Sequence, residues 1–329
     1  MVQYIIRRLL LFIPMLFAIS IVTFAIIQLP PGDYLTAYAA SLAAESGSGT
    51  ISQERMDSLR ERYGLDQPFY VQYWKWISNL AQGNMGYSFE WKREASEILG
   101  PRMPLTIALA VITMLFTWII ALPLGVYTAL RKNTIGDYTA SFFGFIGMAI
   151  PDFMLALCLM WVAFFYFGQD VGGLFSPEYA EAPWSWGKFV NLMSNIWIPV
   201  IVIGTSGIAR LMRILRANLL DELHKPYVEA ARAKGLSEWY LTTKYPVRVA
   251  LNPFVSGIGS VLPELISGAA IVSIVLNLQT ADPFLLRALL SQDMYLAGSY
   301  LMIISVLALI GVLISDILLA WLDPRIRYT

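Results

Sequence analysis

Three carboxylates lie inside or at the edge of long apolar runs, where a charge is costly. They are Asp152, Glu264 and Asp316. In lipid, such acids usually face a water-filled cavity or pair with another charge, so they are the candidate residues of a translocation path. A structural role is the alternative. Asp152 would then cap a helix broken at Pro151, Glu264 would pair across a dimer, and Asp316 would lie near the cytoplasmic interface.

The residues that catalysis or metal binding would need are scarce. His224 is the single histidine and Cys158 the single cysteine, so the sequence can form neither an intrachain disulfide nor an H-E-x-x-H metal site. The nucleotide-binding pattern G-x-x-x-x-G-K-[ST] does not occur either. We therefore expect no cofactor in this chain and disfavour an intramembrane enzyme. We interpret His224 as a solvated or docking residue and Cys158 as a small core residue.

The composition requires a lipid environment. Hydrophobic residues make up 57% of the 329 residues and charged residues only 14%, which leaves more apolar surface than a soluble domain can bury. The formal net charge at pH 7 is zero, so overall charge gives no sign of nucleic-acid binding, and no nucleic-acid partner is expected. The positions of the basic residues carry the information instead.

Six apolar runs are candidate membrane-spanning helices. The first follows Arg7 and Arg8 and is longer than the apolar region of a secretory signal, about 7–15 residues, so we expect an uncleaved span that starts inside. The others cover residues 105–130, 142–167, 196–209, 254–278 and 296–321. The fourth run is short for a crossing, and its arginines would lie on a cytoplasmic extension of the helix.

The basic residues determine the predicted orientation. The pair at 131–132 must share the cytoplasmic side with the arginines at 210, 213 and 216, so two crossings separate the two groups. The arginines at 325 and 327 require two more crossings. The predicted fold class is an all-α polytopic membrane protein with six transmembrane helices and both termini in the cytoplasm.

Three parts follow one another along the chain. Residues 1–29 form an N-terminal transmembrane helix, residues 30–102 a small helical extracytoplasmic insertion, and residues 103–329 a five-helix core with a cytoplasmic loop at about 221–249. In the insertion, Thr50 and Gln53 form a capping box that predicts one helix. A second helix is predicted after Pro68, with an apolar stripe at 70, 73, 74, 77 and 80 that would pack internally or on an external partner.

The cytoplasmic loop contains a short helix that local signals predict. Pro226 suits its first turn and Gly235 its C-cap, while Glu229 near the start and Lys234 near the end favour the helix dipole. A helix of about nine residues is marginal by itself in water, so it must pack on something else. Ser237 would then cap a second short helix.

The loop also carries the pattern E-A-A-x-x-x-G at 229–235, whose two adjacent alanines allow a partner's backbone to approach closely. With this pattern the chain resembles the integral membrane subunits of ABC importers, and more narrowly the dipeptide and oligopeptide permease family. The other stretches that carry the resemblance are 31–33 (P-G-D), 59–68 (L-R-E-R-Y-G-L-D-Q-P), 150–151 (I-P), 231–236 (A-R-A-K-G-L) and 322–327 (L-D-P-R-I-R).

The resemblance implies a type I, binding-protein-dependent importer in a bacterial or archaeal cytoplasmic membrane. This chain would form half of the translocation path for di- or oligopeptides, beside a second, related permease subunit. Two ABC ATPase subunits would bind ATP and Mg²⁺, and an extracytoplasmic solute-binding protein would deliver the substrate. The residues that would dock the ATPase are Glu229, Ala230, Ala231, Arg232, Lys234 and Gly235.

The fifth run departs from the family pattern. The family usually has a glutamate in a V-E-T-V-F-like stretch followed by P-G-L-G, whereas residues 271–275 read I-V-S-I-V and no such glycine motif follows. The connection at 168–195 is long and contains Trp184 and Trp186, which would lie in the interfacial aromatic belt or face a ligand. The same importer architecture carrying oligosaccharides or another small solute is therefore an alternative.

Two other transport classes compete with this interpretation. A proton-coupled secondary transporter would also place acids in its spans, but it predicts repeated halves that the sequence does not show. A passive channel is the other class, and a test of ATP dependence separates it from an importer.

Overall fold

The structure of the chain, a computed structural model, describes residues 2–28, 67–169 and 172–322. The predicted capping box at Thr50 and Gln53, the stretch at 31–33, most of 59–68 and the C-terminal arginines lie outside these residues. The chain divides into two compact units. The first contains Met1–Ile5, Leu105–Gln279 and Ala308–Thr329, and the second contains Ile6–Pro104 and Thr280–Leu307.

Helices dominate the described residues, and a two-stranded antiparallel hairpin is formed by β1 and β2. The elements in chain order are α1 (Val2–Gln28), α2 (Phe69–Ala81), β1 (Tyr87–Ser88), β2 (Arg93–Glu94), α3 (Ala95–Leu99), α4 (Met103–Leu130), α5 (Ile135–Ala149), α6 (Asp152–Phe167), α7 (Pro177–Ala180), α8 (Trp186–Asn195), α9 (Trp197–Leu223), α10 (Pro226–Ala233), α11 (Glu238–Lys244), α12 (Pro246–Ala250), α13 (Asn252–Ser256), α14 (Ile258–Gly268), α15 (Ala270–Val275), α16 (Asp282–Leu290) and α17 (Met294–Leu322).

Helix α9 is the centre of the first unit, where it packs against α5, α6, α12 and α15. Ile198 of α9 lies in one buried apolar cluster with Ala156 of α6 and Val272 of α15. Small residues allow α5 and α9 to approach each other closely. A Cβ added to Gly147 of α5 would lie 2.6 Å from the side chain of Thr205 in α9. Small residues at helix contacts are the usual way in which membrane helices gain van der Waals contact.

Four stretches of helix within the described residues are long and apolar enough to cross a membrane: Ile5–Gln28, Ala95–Leu130, Trp197–Leu223 and Met294–Leu322. The short fourth run of the sequence is part of Trp197–Leu223, and the arginines at 210, 213 and 216 lie in the same continuous helix. The predicted extension of the helix is therefore confirmed, whereas its cytoplasmic location stays a prediction. The chain is thus a mostly helical, multi-pass membrane protein, whereas six spans with cytoplasmic termini stay a prediction.

The third apolar run is not one straight helix. Helices α5 and α6 meet at an angle of 101°, and together they would count as a fifth crossing. Between them, Ile150 and Pro151 have extended backbone angles, with ψ of 124° and 135°. Proline disfavours the helical conformation of the residue before it and has no N–H to donate, which explains a break at this dipeptide.

The fifth apolar run was predicted as one span but is divided into α13, α14 and α15. Single residues, Gly257 and Ala269, separate these helices, and both keep right-handed helical dihedral angles. Pro253 and Pro263 lie in this stretch and cannot donate to the helical hydrogen-bond ladder. The single span predicted here depends on the length of the apolar run, and this length carries no information about such interruptions.

In the second unit, α2 packs on α1 through aromatic side chains. Phe24 of α1 lies 5.5 Å from Tyr73 and 5.7 Å from Trp76 between ring centroids, and the hydroxyl groups of Ser20 and Tyr73 are 2.8 Å apart. The predicted apolar stripe of this helix is only partly correct. Tyr73 is buried, but Trp74 is exposed, and the buried Trp76 takes its place in the interface.

The hairpin of the second unit is held by a buried carboxylate. Asp293 accepts hydrogen bonds from the Ser88 hydroxyl at 2.5 Å and from the backbone N–H of Glu90 at 3.2 Å. It also accepts one from the N–H of Leu296 at 3.2 Å and so caps α17. Burial raises the pKa of Asp293, although these hydrogen bonds favour its ionised form.

Candidate functional site

The candidate docking helix, α10, is built as its sequence predicts. Pro226 is its first residue and Glu229 lies in its first turn. At the other end the N–H of Lys234 donates to Ala230 at 3.2 Å, and Gly235 follows with φ of +79°. Glycine adopts this left-handed conformation without the steric cost that a Cβ imposes, so Gly235 ends the helix.

Packing holds this short helix in place. Val228 on its inner face and Leu241 of α11 are both completely buried. Helix α10 packs on α11, α11 packs on α12, and α12 packs on α9. The residue Ser237 does stand at the N-cap position of α11, but its side chain makes no capping hydrogen bond. A helix too short to be stable alone is therefore supported by a chain of neighbours that ends at the long helix α9.

A polar contact ties α10 directly to the end of α9. Glu222 in the last turn of α9 accepts a hydrogen bond from the hydroxyl of Tyr227 at 2.6 Å, and it also pairs with the ammonium group of Lys225. Partial burial raises the pKa of Tyr227, and the Glu222 carboxylate raises it further. The phenol therefore stays protonated and remains a donor at physiological pH.

A second ion pair joins α10 to α11. The guanidinium of Arg232 donates to both carboxylate oxygens of Glu238, at 2.5 and 3.1 Å. This bidentate contact with Arg232 lowers the pKa of Glu238. Arg232, one of the predicted docking residues, thus also positions α11 beside α10, and its contact with an ATPase stays a prediction.

The remaining predicted docking residues form an outward surface. Glu229, Ala230, Lys234 and Gly235 are exposed, and Ala231 is partly buried. Nothing lies within 4 Å of a Cβ added to Gly235, so this end of the surface is open.

Two aromatic residues beside this surface were missed by the sequence interpretation. Trp239 and Tyr240 of α11 are 73% and 46% exposed. Exposed aromatic side chains are enriched at protein–protein interfaces, where they bury much area at low entropic cost. An adjacent Trp-Tyr pair on a charged helix outside the apolar runs is the signal that could have identified them.

The three candidate path acids lie on three different helices of the first unit. Asp152 is the first residue of α6, after the N-cap residue Pro151, and is half-buried. Asp316 is half-buried within α17. Glu264 of α14 is exposed and forms an ion pair of 2.6 Å with Arg210 of α9. This contact is within the chain, whereas a pair across a dimer was the alternative considered for Glu264.

Two further arginines of α9 contact α5. Arg216 donates to the buried carboxylate of Asp137 at 2.7 Å. Arg213 donates to the sulfur of Met148 at 3.2 Å and lies 4.7 Å from the ring centre of Phe145. The arginines of α9 thus hold neighbouring helices, in addition to their expected role in membrane orientation.

His224 and Cys158, the single histidine and the single cysteine of the chain, make none of these arginine contacts. His224 follows α9 and its Nδ1 is 2.7 Å from the carbonyl oxygen of Leu220. Cys158 is exposed on α6, so its interpretation as a core residue is wrong. A small apolar thiol suits a lipid-facing position as well as a protein core, which is why its type alone did not decide. Among the described residues, no group of three or more His, Cys, Asp or Glu side chains could hold a metal ion.

Two family models match the chain. The model described as "Binding-protein-dependent transport system inner membrane component" covers residues 121–328, and that described as "Binding-prot-dependent transport system membrane comp, N-term" covers residues 1–110.

Several transport proteins are similar to the chain over its full length. It is 33% identical to the oligopeptide transport system permease protein AppB of Bacillus subtilis, with 100% of both chains covered. It is 29% identical to the dipeptide transport system permease protein DppB of Escherichia coli K12, covering 100% of this chain and 99% of that one. It is 27% identical to the oligopeptide transport system permease protein OppB of Haemophilus influenzae, again with 100% of both chains covered.

The fold is also found in a solved structure. A chain of the MetNI methionine ABC transporter superposes with a TM-score of 0.51 and 17% sequence identity, covering 69% of this chain and 96% of that chain. At this identity the similarity concerns the fold alone, and it agrees with a type I importer permease.

Proposed function

Because the chain belongs to the family of binding-protein-dependent transport system inner membrane components, we propose that it forms half of the path through which an ATP-driven importer carries di- or oligopeptides. The chain is a membrane permease subunit, and thus a transport component, of an ABC importer. The observation that carries the peptide assignment is its full-length similarity to relatives named for oligopeptide and dipeptide transport. These relatives give no support to an oligosaccharide substrate.

The complete importer, in this proposal, contains a second, related permease, two ATPase subunits and an extracytoplasmic solute-binding protein in the cytoplasmic (inner) membrane. The ATPases bind ATP and Mg²⁺. The exposed surface of α10, with Glu229, Ala230, Lys234 and Gly235, seats on one ATPase, and Trp239 extends this contact. Arg232 contributes by holding α11 in position through Glu238.

The contacts of α10 explain how ATPase movement can reach the membrane. A displacement of α10 is passed to α9 through the Tyr227–Glu222 hydrogen bond and the packing of α11 and α12. Helix α9 has 27 residues without interruption, a length of about 40 Å at 1.5 Å per residue. The same helix that receives the displacement in the cytoplasm therefore crosses the bilayer, and closure of the ATPases would switch the path between its two openings.

The proposal is tested with the chain expressed together with its neighbouring permease, ATPase and binding-protein genes. We expect the ATPases to copurify in fixed stoichiometry and peptide uptake into proteoliposomes to require ATP. Uptake without ATP, or a purified complex that lacks an ATPase, would contradict the importer function.

A charge reversal tests the docking surface. We expect Glu229→Lys to abolish copurification of the ATPase or to uncouple ATP hydrolysis from uptake, with normal membrane insertion. Glu178→Lys is the matched control, because Glu178 is also an exposed acid in the first turn of a short helix that begins with proline. Normal uptake by Glu229→Lys would remove this residue from the docking surface.

A further inference from the structure

One face of the divided fifth span is polar. Ser256 of α13 and Ser260, Glu264 and Ser267 of α14 follow one another at intervals of four, four and three residues, and all four are exposed. This spacing places them on one side of a helical path. We call these four residues the polar stripe.

The polar stripe lies in a stretch that is otherwise apolar. The neighbouring Phe254, Ile258 and Ile266 are buried, so the apolar side of this helical path faces the protein. A side that carries a carboxylate and three hydroxyl groups is costly against lipid, and polar residues of membrane segments usually face water or a partner. The polar stripe is therefore expected to face an aqueous path.

The hydroxyl groups of the polar stripe can still accept hydrogen bonds from a ligand. Each serine donates to the backbone carbonyl three residues earlier: Ser256 to Pro253 at 3.1 Å, Ser260 to Gly257 at 2.9 Å and Ser267 to Glu264 at 3.3 Å. Their oxygen atoms can still accept hydrogen bonds. Peptide N–H groups are donors of the matching kind.

The ion pair between Arg210 and Glu264 gives the stripe one positive and one negative group. Their side chains are 48% and 51% exposed. An ion pair with this exposure contributes little net free energy, so a ligand can replace either partner at little cost. A peptide with free ends is a zwitterion, and its carboxylate and ammonium groups are complementary to Arg210 and Glu264.

We propose that Arg210, Glu264 and the polar stripe form a transient binding site for the main chain of a zwitterionic peptide. The terminal carboxylate pairs with Arg210 and the terminal ammonium with Glu264, in place of their mutual ion pair. The serine oxygens accept from the peptide N–H groups between them. This inference rests on the proposed function, because it specifies the ligand of the same transport path.

Thiol labelling in the assembled importer tests whether the stripe faces an aqueous, substrate-binding path. With Cys158→Ala as background, we expect Ser260→Cys to react with a membrane-impermeant maleimide and a saturating supply of trialanine with its binding protein to slow this reaction at least about fivefold. Ile119→Cys is the control, since Ile119 is 70% exposed on α4 in an apolar setting and should remain unlabelled. An unreactive Ser260→Cys, or one that trialanine does not protect, would overturn the proposal.

Paired substitutions separate peptide binding from a structural brace. We expect Arg210→Gln and Glu264→Gln each to lower trialanine uptake about tenfold, equivalent to about 1.4 kcal/mol. The double variant Arg210→Gln/Glu264→Gln decides the matter. It carries no unpaired charge, so a brace predicts recovered uptake, whereas a site for the peptide ends predicts that uptake stays about tenfold below the unsubstituted importer. Recovery to within twofold would overturn the proposal.

The unsubstituted importer distinguishes this inference from the function on which it rests. If it takes up no trialanine, or takes it up without ATP, the proposed function fails. If it takes up trialanine with ATP and the double variant does the same, only the assignment of the binding site fails. Arg213→Gln provides a control for loss of a positive charge one turn along α9, since Arg213 contacts Phe145 and Met148 of α5.

Discussion

The hydroxyl of Tyr227 donates a 2.6 Å hydrogen bond to Glu222, and this contact joins the short helix α10 to the end of α9, a helix long and apolar enough to cross a membrane. The two residues are five positions apart, with a proline between them that begins the second helix. The hydrogen bond therefore fixes the angle at which the chain leaves one helix and enters the next.

Removing this hydroxyl should loosen the connection. We expect Tyr227→Phe to retain the ring and the ion pair between Lys225 and Glu222 but to lose a charge-assisted hydrogen bond, about 1.5–3 kcal/mol. Uptake per ATP hydrolysed should fall severalfold in proteoliposomes, with the ATPase still bound. Tyr166→Phe, which removes an exposed hydroxyl near the end of α6, should couple normally. Equal coupling ratios in the two variants would argue against the role of the Tyr227 hydroxyl.

The left-handed residue at the end of α10 gives a second prediction. Gly235→Ala adds a Cβ that meets no atom within 4 Å, so its effect comes from the backbone, which has φ of +79°. The expected strain is about 1–2 kcal/mol, and it should distort the docking surface and reduce ATP-dependent uptake. Gly168→Ala imposes similar strain at φ of +61° in the loop after α6. It should lower thermal stability without changing the coupling ratio, and an unaltered ratio in Gly235→Ala would contradict the prediction.

The ion pair between Arg216 and the buried Asp137 predicts unequal effects for two neighbouring arginines of α9. Arg216→Met leaves the buried Asp137 carboxylate without its guanidinium partner, at a cost of about 3 kcal/mol in unfolding free energy. Arg213→Met removes only exposed contacts and should cost less than about 1 kcal/mol. Thermal unfolding of the detergent-solubilised protein measures the difference. Adding Asp137→Leu to Arg216→Met should restore part of the loss, and a further loss instead would contradict this account.

A pH dependence is expected in the second unit because burial raises the pKa of Asp293. The folded state holds this proton more tightly than the unfolded state, so the contribution to stability is full below the ordinary aspartate pKa of about 4. It is lost as pH rises through the raised value. The melting temperature of the unsubstituted protein relative to Asp293→Asn should therefore be higher at pH 4 than at pH 8. A difference independent of pH would show that Asp293 titrates normally.

The helix α10, the candidate docking helix, could be predicted from the sequence because its signals are local. Pro226, Glu229 and Gly235 act within their own turns, and the helix is observed where they place it. The ion pair of Arg210 and Glu264 joins residues 54 positions apart. No local signal specifies such a contact, so Glu264 could be identified as a costly charge but not assigned a partner.

The membrane helices also divide into features that the sequence predicts and features that depend on packing. Apolar length identifies α1, α4 and α17, because burying backbone polar groups in lipid requires long helices, whereas the short run in α9 is identified as a crossing only through the positions of the basic residues. The bend at Ile150 and the interruptions at Gly257 and Ala269 depend on proline geometry and on packing against α9. Apolar length carries no information about such bends, so it predicts the third and fifth runs as single spans. Only the alternative in which Asp152 caps a helix broken at Pro151 anticipates the bend in the third run.

The three arginines of α9 have a mechanical consequence. They follow at intervals of three residues, and since a helix turns about 100° per residue, their side chains spread over about 120° of its circumference. Their partners are Glu264 on α14 and residues of α5. Twisting α9 about its own axis would strain the contacts of Arg213 and Arg216 with α5 together, whereas swinging α9 in company with α5 would preserve them. Rotation of α9 about its own axis is therefore expected to be resisted, whereas a tilt of α9 together with its neighbours is expected to carry a displacement along the helix.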